Sequence, residues 1–79
     1  MKNKFLSTEH YIAYLQLESD YKNFITHYDD YINSASGSEN YQKQKLICIK
    51  YLESAIEQKT ILLIDSNSDY DKLFKLKFN

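Results

Sequence analysis

The distribution of glycine and proline constrains this fold more than any other sequence feature. The chain contains no proline, and its single glycine is Gly37. Because these residues are the strongest breakers of regular structure, long helices can form on both sides of residue 37. Gly37 also lies in the only cluster of small turn-forming residues and can adopt the left-handed conformation that ends a helix. Two long elements joined by one short turn, 34–38, are therefore expected.

The segment 8–33 has the periodicity of an amphipathic helix. A cap by Ser7 or Thr8 can begin it, and the opposite, polar face includes Asp20. The apolar residues follow an alternating spacing of three and four, and they are Tyr14, Leu17, Tyr21, Phe24, Tyr28 and Tyr31. This apolar arc is wider than the roughly 100° that one neighbouring helix covers. We expect a first helix from about residue 8 to residue 33.

The segment 39–64 is expected to form the second helix, with Ser38 as its cap. One stripe carries its apolar residues, which are Tyr41, Cys48, Leu52, Ala55, Ile56, Leu62 and Leu63. Lys59 falls near the middle of this stripe. The segment 61–64 either forms a last turn that the C-terminal segment buries on all sides or leaves the helix as a short extended piece. We favour the first, with the helix reaching about Ile64, because nothing breaks it before Asp65. A short connection between long helices predicts an antiparallel hairpin.

The C-terminal segment 69–78 is ambiguous. Its apolar and polar residues alternate as in a strand, yet Tyr70, Leu73 and Phe74 also suit one helical face. No other segment offers a convincing strand to pair with, so a short third helix is favoured over a strand. The expected fold is therefore a single all-α domain covering 1–79, a long antiparallel helical hairpin with a short C-terminal third element.

Chain length and composition exclude several classes of small protein, namely those stabilised by disulfides or zinc and those that span a membrane. A chain of 79 residues has a small core, and its single cysteine, Cys48, excludes an internal disulfide and a cysteine-rich zinc site. Good packing and self-association remain as stabilising devices. The longest apolar run, 61–64, is too short to cross a membrane, and the N-terminus lacks the apolar stretch of a signal peptide. A cytoplasmic protein is expected.

The charge pattern gives little indication of nucleic-acid binding. The net charge is −1, with acidic and basic residues interspersed along the chain. All ten basic residues are lysine, and valine and arginine are absent. Lysine, asparagine, isoleucine and tyrosine share A/T-rich codons, which indicates an AT-rich bacterium or a phage that infects one.

Residues that could support catalysis or hold a metal are poorly placed. Cys48 lies within the apolar stripe, where cysteine behaves as a small buried hydrophobe. His10 and His27 lie on one helix and are roughly 25 Å apart along its axis, so they cannot share a site in one chain. His27 and Asp30 have helical ligand spacing, but a third ligand is lacking. The acidic residues are expected on the polar faces. We expect no enzymatic activity, no metal and no cofactor.

The tyrosine row is the most informative feature. Tyr14, Tyr21 and Tyr28 recur at intervals of seven residues, and Tyr31 lies beside them. One interpretation is an aromatic core. However, every buried tyrosine hydroxyl needs a partner, which a two-helix core has difficulty providing repeatedly. The other interpretation is an interface, where tyrosine keeps one end apolar and the other wet. Both interpretations stay open at this stage.

Lys59 also admits two interpretations. Its aliphatic stem can pack at the edge of the stripe while its ammonium group reaches water. Alternatively, it pairs with a carboxylate across the hairpin or on a partner, and Asp20 or Glu18 would be suitable if the helices are antiparallel.

These observations favour a non-enzymatic protein-binding module. By analogy with small helical proteins of AT-rich bacteria and phages, it would be a stoichiometric inhibitor, antitoxin, immunity or anti-defence protein that acts by surface occlusion. Its partner would be another protein, itself as a homodimer, or both. The candidate partner-binding residues are Tyr14, Tyr21, Tyr28, Tyr31, Glu18, Asp29, Asp30 and Lys59. One alternative is a homodimeric hairpin with a nucleic-acid-binding or regulatory role, which the neutral charge and missing arginine disfavour. Another is a structural homo-oligomeric subunit.

Overall fold

The computed structural model describes residues 7–78, and over that range the regular structure is entirely helical. Helix α1 spans Thr8–Asn33, α2 spans Glu39–Leu62 and α3 spans Asn67–Lys77. Helices α1 and α2 pack along each other as a hairpin, and α3 packs against α2. The predicted all-α hairpin is confirmed, and the third element is a helix rather than a strand.

Serine side chains define the beginnings of the two long helices. The Ser7 hydroxyl accepts a hydrogen bond from the His10 backbone N–H at 3.2 Å, and the Ser38 hydroxyl accepts one from that of Tyr41 at 3.1 Å. Both bonds satisfy backbone donors that have no partner inside a helix. Between the helices, Gly37 has a φ of +84°, which a residue with a side chain adopts only with strain. The hairpin turn therefore lies where the single glycine predicts it.

The core is made by all three helices. Side chains of α1 and α3 enclose the apolar stripe of α2, and Cys48 and Leu52 have no exposed surface. The buried cluster comprises Phe24, Tyr31, Cys48, Leu52, Ile56, Leu73 and Leu76. Because α3 contributes Leu73 and Leu76, part of the cover that a two-helix hairpin lacks comes from the chain itself.

The end of α2 differs from the sequence prediction, which placed it at Ile64 with a buried last turn. The helix ends at Leu62, and Leu63 adopts the left-handed conformation with φ 59°. The Ile64 N–H donates to the Lys59 carbonyl at 2.9 Å, and the Leu63 N–H donates to the Thr60 carbonyl at 3.3 Å. These two bonds form a Schellman motif, which turns the chain so that α3 can return onto α2. Leu63 and Ile64 are consequently exposed.

Replacement of Leu63 by glycine is expected to stabilise the protein. The Leu63 side chain is 84% exposed, so little packing is lost, and glycine removes the strain of a positive φ. We expect Leu63→Gly to raise the free energy of unfolding by about 0.5–1 kcal/mol in urea titrations. Leu63→Ala is the matched control, because it removes the side chain and keeps the strained Cβ. An equal gain in both variants would contradict a backbone origin.

Candidate functional site

The four tyrosines of the row have different surroundings, and they do not form one continuous buried or exposed face. Tyr31 is buried, Tyr21 is half-buried, and Tyr14 and Tyr28 are exposed. A repeat of seven residues drifts by about 20° per repeat on a straight helix, so the row does not face one neighbour throughout. The two interpretations of the row each apply to some of its members.

Tyr31 belongs to the core and finds a hydroxyl partner on the other helix. Its hydroxyl oxygen lies 3.0 Å from that of Tyr41, and the two ring centroids are 4.7 Å apart. The hydrogen bond with Tyr31, together with burial, raises the pKa of Tyr41. A second tyrosine thus supplies the partner that the sequence alone did not reveal.

Tyr21 is part of an ion-pair cluster that joins all three helices. The Asp69 carboxylate, in the first turn of α3, has no exposed surface. Its Oδ1 accepts a hydrogen bond from the Tyr21 hydroxyl at 2.7 Å, and its Oδ2 lies 2.6 Å from Lys59 Nζ. The same ammonium lies 5.2 Å from the Tyr21 ring centroid, within cation–π range. We name Tyr21, Lys59 and Asp69 the Lys59 triad.

The electrostatics of the Lys59 triad follow from burial and pairing. Burial raises the pKa of Tyr21, and the neighbouring Asp69 raises it further, while Lys59 acts in the opposite direction. Burial also acts to lower the pKa of Lys59. The hydrogen bonds to Asp69 and Tyr21 outweigh this effect, so the pKa of Lys59 is raised. The ammonium is therefore held in its charged form by the carboxylate.

Both predictions for Lys59 need correction. Its side chain is only 12% exposed, so it does not reach freely into water, and its carboxylate partner is Asp69 instead of Asp20 or Glu18. The reason is the turn after α2, which carries α3 back over Lys59. Helical periodicity places Lys59 on the stripe correctly, but it cannot show which later carboxylate returns to meet it.

Asp20 is a second buried carboxylate, whereas the sequence analysis placed it on the polar face. It is 1% exposed, and its oxygens accept hydrogen bonds from Ser54 Oγ at 2.7 Å and Gln16 Nε2 at 2.9 Å. The spacing contained a signal, because Asp20 lies three residues after Leu17 and four before Phe24, both buried. The expectation that all acidic residues lie on polar faces is therefore wrong for Asp20 and Asp69.

The remaining candidates for chemistry have structural surroundings. His27 Nδ1 lies 2.7 Å from Oε1 of the buried Gln44, and its ring stacks on Tyr51. Cys48 has no exposed surface, and burial raises the pKa of its thiol to about 11. Within residues 7–78 no three histidine, cysteine, aspartate or glutamate side chains are grouped to hold a metal ion.

An apolar surface remains on the side of α1 that adjoins α3. Ile25 is 67% exposed, Tyr28 40% and Ile32 56%. At about 100° per residue these side chains lie within an arc of about 60°, along roughly 10 Å of the helix axis. We name Ile25, Tyr28 and Ile32 the α1 flank. Tyr14 lies further toward the N-terminus, where its hydroxyl donates to Glu18 Oε2 at 3.1 Å.

Two hollows of opposite charge meet at the α1 flank. The Phe24 and Tyr28 rings, stacked with centroids 5.4 Å apart, border both. The first, of about 470 Å³, is the acidic hollow, lined by Phe24, Ile25, Thr26, Tyr28, Asp29 and Asp30. The second, of about 370 Å³, is the basic groove between α1 and α3, lined by Phe24, Tyr28, Tyr31, Lys72, Lys75 and Leu76.

Lys72 and Lys75 were not among the residues predicted to bind a partner. They join this surface only because α3 packs on α2 and brings its side chains next to those of α1, which the one-dimensional pattern cannot show. Of the predicted partner-binding residues, Tyr21, Tyr31 and Lys59 lie inside the fold. Those at the surface are Tyr14, Tyr28, Glu18, Asp29 and Asp30.

No protein-family model, curated protein or solved structure matches this chain. The function must therefore be argued from its own surfaces. Among residues 7–78, no helix combines the length and apolar character needed to span a membrane.

Disruption of the Lys59 triad is expected to destabilise the fold strongly. Lys59→Met leaves Asp69 buried and unpaired, so the free energy of unfolding should fall by about 3 kcal/mol. The double variant Lys59→Met with Asp69→Leu removes both charges and should recover most of this loss. Urea unfolding followed by circular dichroism measures both. Equal stability of the single and double variants would show that the buried, unpaired Asp69 carboxylate is not the cause of the destabilisation.

Cys48 is expected to be chemically silent in the folded protein. Its burial and raised pKa leave almost no exposed thiolate at neutral pH, and the thiolate is the reactive form. Ellman's reagent should modify it only after unfolding by urea. Ser36→Cys in the exposed turn is the positive control and should react at once. Rapid modification of Cys48 in the native protein would show that the core opens readily.

Proposed function

We propose that this protein is a non-enzymatic protein-binding module that acts in the cytoplasm by covering part of another protein. The proposed class is a stoichiometric inhibitor, antitoxin, immunity or anti-defence protein of an AT-rich bacterium or phage. The observation that carries the proposal is the exposed α1 flank, where three large apolar side chains lie together beside hollows of opposite charge. A cluster of exposed apolar side chains rimmed by charge is typical of an interaction site.

The composition of the α1 flank suits a binding anchor. Transfer of an exposed isoleucine side chain into an interface contributes about 1.5–3 kcal/mol, and both Ile25 and Ile32 are available for it. Tyr28 adds a large ring whose orientation is set by stacking on Phe24. Tyrosines in such positions are frequent among the few residues that dominate binding energy.

Acidic side chains beside the α1 flank would guide the encounter with a partner. Asp29 and Asp30 line the adjacent hollow, and both are exposed. Charges at the rim of an interface mainly raise the association rate and suppress incorrect partners, while the apolar centre provides most of the affinity. The preferred target therefore presents an apolar patch with neighbouring basic residues.

The buried polar groups support a binding role better than a catalytic one. Both oxygens of Asp20 accept hydrogen bonds from Ser54 and Gln16, and both oxygens of Asp69 are engaged by Tyr21 and Lys59. A carboxylate that is fully engaged inside the core is not available to exchange protons with a substrate. These residues are best interpreted as structural.

The nucleic-acid alternative has less support. Two of the three lysines on α3 lie near carboxylates, Lys75 at 3.4 Å from Asp71 and Lys77 at 3.4 Å from Glu53. A phosphate backbone is bound by an excess of positive charge, which this arrangement partly neutralises. We therefore keep the protein-binding module as the proposed function.

The proposal is tested by affinity capture from lysate of the native host. The tagged wild-type chain should retain a foreign protein at high salt, and Ile25→Asp combined with Tyr28→Ala should weaken its binding by at least about tenfold. Leu46→Asp is the matched control, because Leu46 is equally exposed on α2 and lies outside the α1 flank. Binding should survive in the control.

A fold measurement accompanies the capture. Tyr28→Ala should leave the melting temperature nearly unchanged, because Tyr28 lies at the surface, whereas Tyr21→Ala should lower it by opening the Lys59 triad. The proposed function is contradicted if the flank variant, with its fold intact, retains the same proteins as the wild type.

A further inference from the structure

The two hollows beside the α1 flank complement each other in charge. The acidic hollow contains two carboxylates and no lysine, and the basic groove contains two lysines and no carboxylate. They share the Phe24–Tyr28 wall, and Asp29 lies about 100° from Tyr28 around α1, at the edge of the α1 flank. Asp30 lies about 200° from Tyr28, on the far side of the acidic hollow. Within residues 7–78, the side chains of Asp29, Asp30 and Lys72 form no ion pair.

We propose that two copies of this chain dock on each other through this surface, the acidic hollow of each copy against the basic groove of the other. The inference rests on the proposed function, because it uses the same α1 flank. In the absence of a target, a second copy of the chain covers the α1 flank.

Two-fold symmetry explains why a second copy fits. In a symmetric dimer the same patch is buried on both subunits, so the patch must be its own complement. A two-fold axis through the shared Phe24–Tyr28 wall exchanges the two hollows. Asp29 of one copy then meets Lys72 and Lys75 of the other, and the same contact occurs twice.

The apolar residues fit the centre of such an interface. Ile25, Tyr28 and Ile32 lie between the charged groups, and an apolar core with a charged rim is the usual anatomy of a protein interface. The two copies of Tyr28 meet near the axis with their hydroxyls at the wet edge. Lys75 and Asp71 form only an exposed surface pair, which is weak and can be exchanged for the intermolecular contact.

Self-association would control access to the α1 flank. The dimer covers Ile25, Tyr28 and Ile32, so the monomer is the form that can bind a target. A target must then compete with the second copy, and the exposed apolar surface stays covered while no target is present.

Charge reversal tests the dimer directly. Sedimentation velocity should find the wild-type chain as a dimer at high-micromolar concentration. Asp29→Lys with Asp30→Lys, and separately Lys72→Glu with Lys75→Glu, should each weaken dimerisation by at least about tenfold through like-charge contacts. An equimolar mixture of the two variants should restore a dimer, because both contacts become complementary again.

A matched control separates specific docking from general attraction. Lys43→Glu with Lys50→Glu has the same net charge as the Lys72→Glu, Lys75→Glu variant, but its substitutions lie on exposed positions of α2. Mixed with the Asp29→Lys, Asp30→Lys variant, it should not restore the dimer. Restoration in this control, or a monomeric wild type at every concentration, would overturn the proposal.

Cross-linking provides a second measurement that tolerates small losses of stability. Tyr28→Cys should form an intermolecular disulfide rapidly on mild oxidation, and Leu46→Cys should not. The buried Cys48 does not interfere. Equal rates in the two variants would overturn the proposed axis.

The outcomes for the two proposals are distinguishable. A monomeric wild type that still captures a foreign protein through Tyr28 overturns the dimer and leaves the proposed function intact. A dimer that responds to charge reversal as expected, in a protein that captures no foreign partner, supports the dimer and overturns the proposed function.

Discussion

The Asp69 carboxylate has no exposed surface, yet it contacts an ammonium from α2 and a phenol from α1 at 2.6 Å and 2.7 Å. A buried charge is tolerated only when it is paired and hydrogen-bonded, so Asp69 depends on both Lys59 and Tyr21. The position of α3 depends on this cluster. Apolar contacts of Leu73 and Leu76 favour docking in general, and the contacts of Asp69 with Lys59 and Tyr21 connect the first turn of α3 to both long helices.

The surface of the protein depends on the same docking. With α3 in place, Lys72 and Lys75 stand beside the aromatic side chains of α1 and form the basic groove. Without α3, Tyr28 would be one exposed tyrosine on an amphipathic helix. A buried ion pair therefore positions the charged surface on which the proposed self-association rests, although no member of the Lys59 triad needs to contact a partner.

Features that are determined within a single helix were predicted correctly from the sequence. The start of α1, the turn at Gly37 and the helical nature of α1 and α2 follow from capping, glycine conformation and periodicity, which are local properties. The segment 69–78 was ambiguous by periodicity, and a helix was favoured because no other segment offered a strand to pair with. The predictions were wrong where the outcome depends on how two or three helices pack together. Asp20 was placed on a polar face, Lys59 was given a partner across the hairpin, and α2 was extended to Ile64, because each outcome depends on how α2 and α3 pack.

The tyrosine row shows the same division within a single motif. The sequence by itself determined that Tyr14, Tyr21, Tyr28 and Tyr31 lie along one side of a long helix, since about 3.6 residues per turn permit no other arrangement. Only the tertiary structure decided that Tyr21 binds Asp69, that Tyr31 meets Tyr41, and that Tyr28 stays at the surface. The physical reason is that periodicity determines the direction of a side chain from its own helix axis. Burial and hydrogen bonding depend on which other helix occupies that direction.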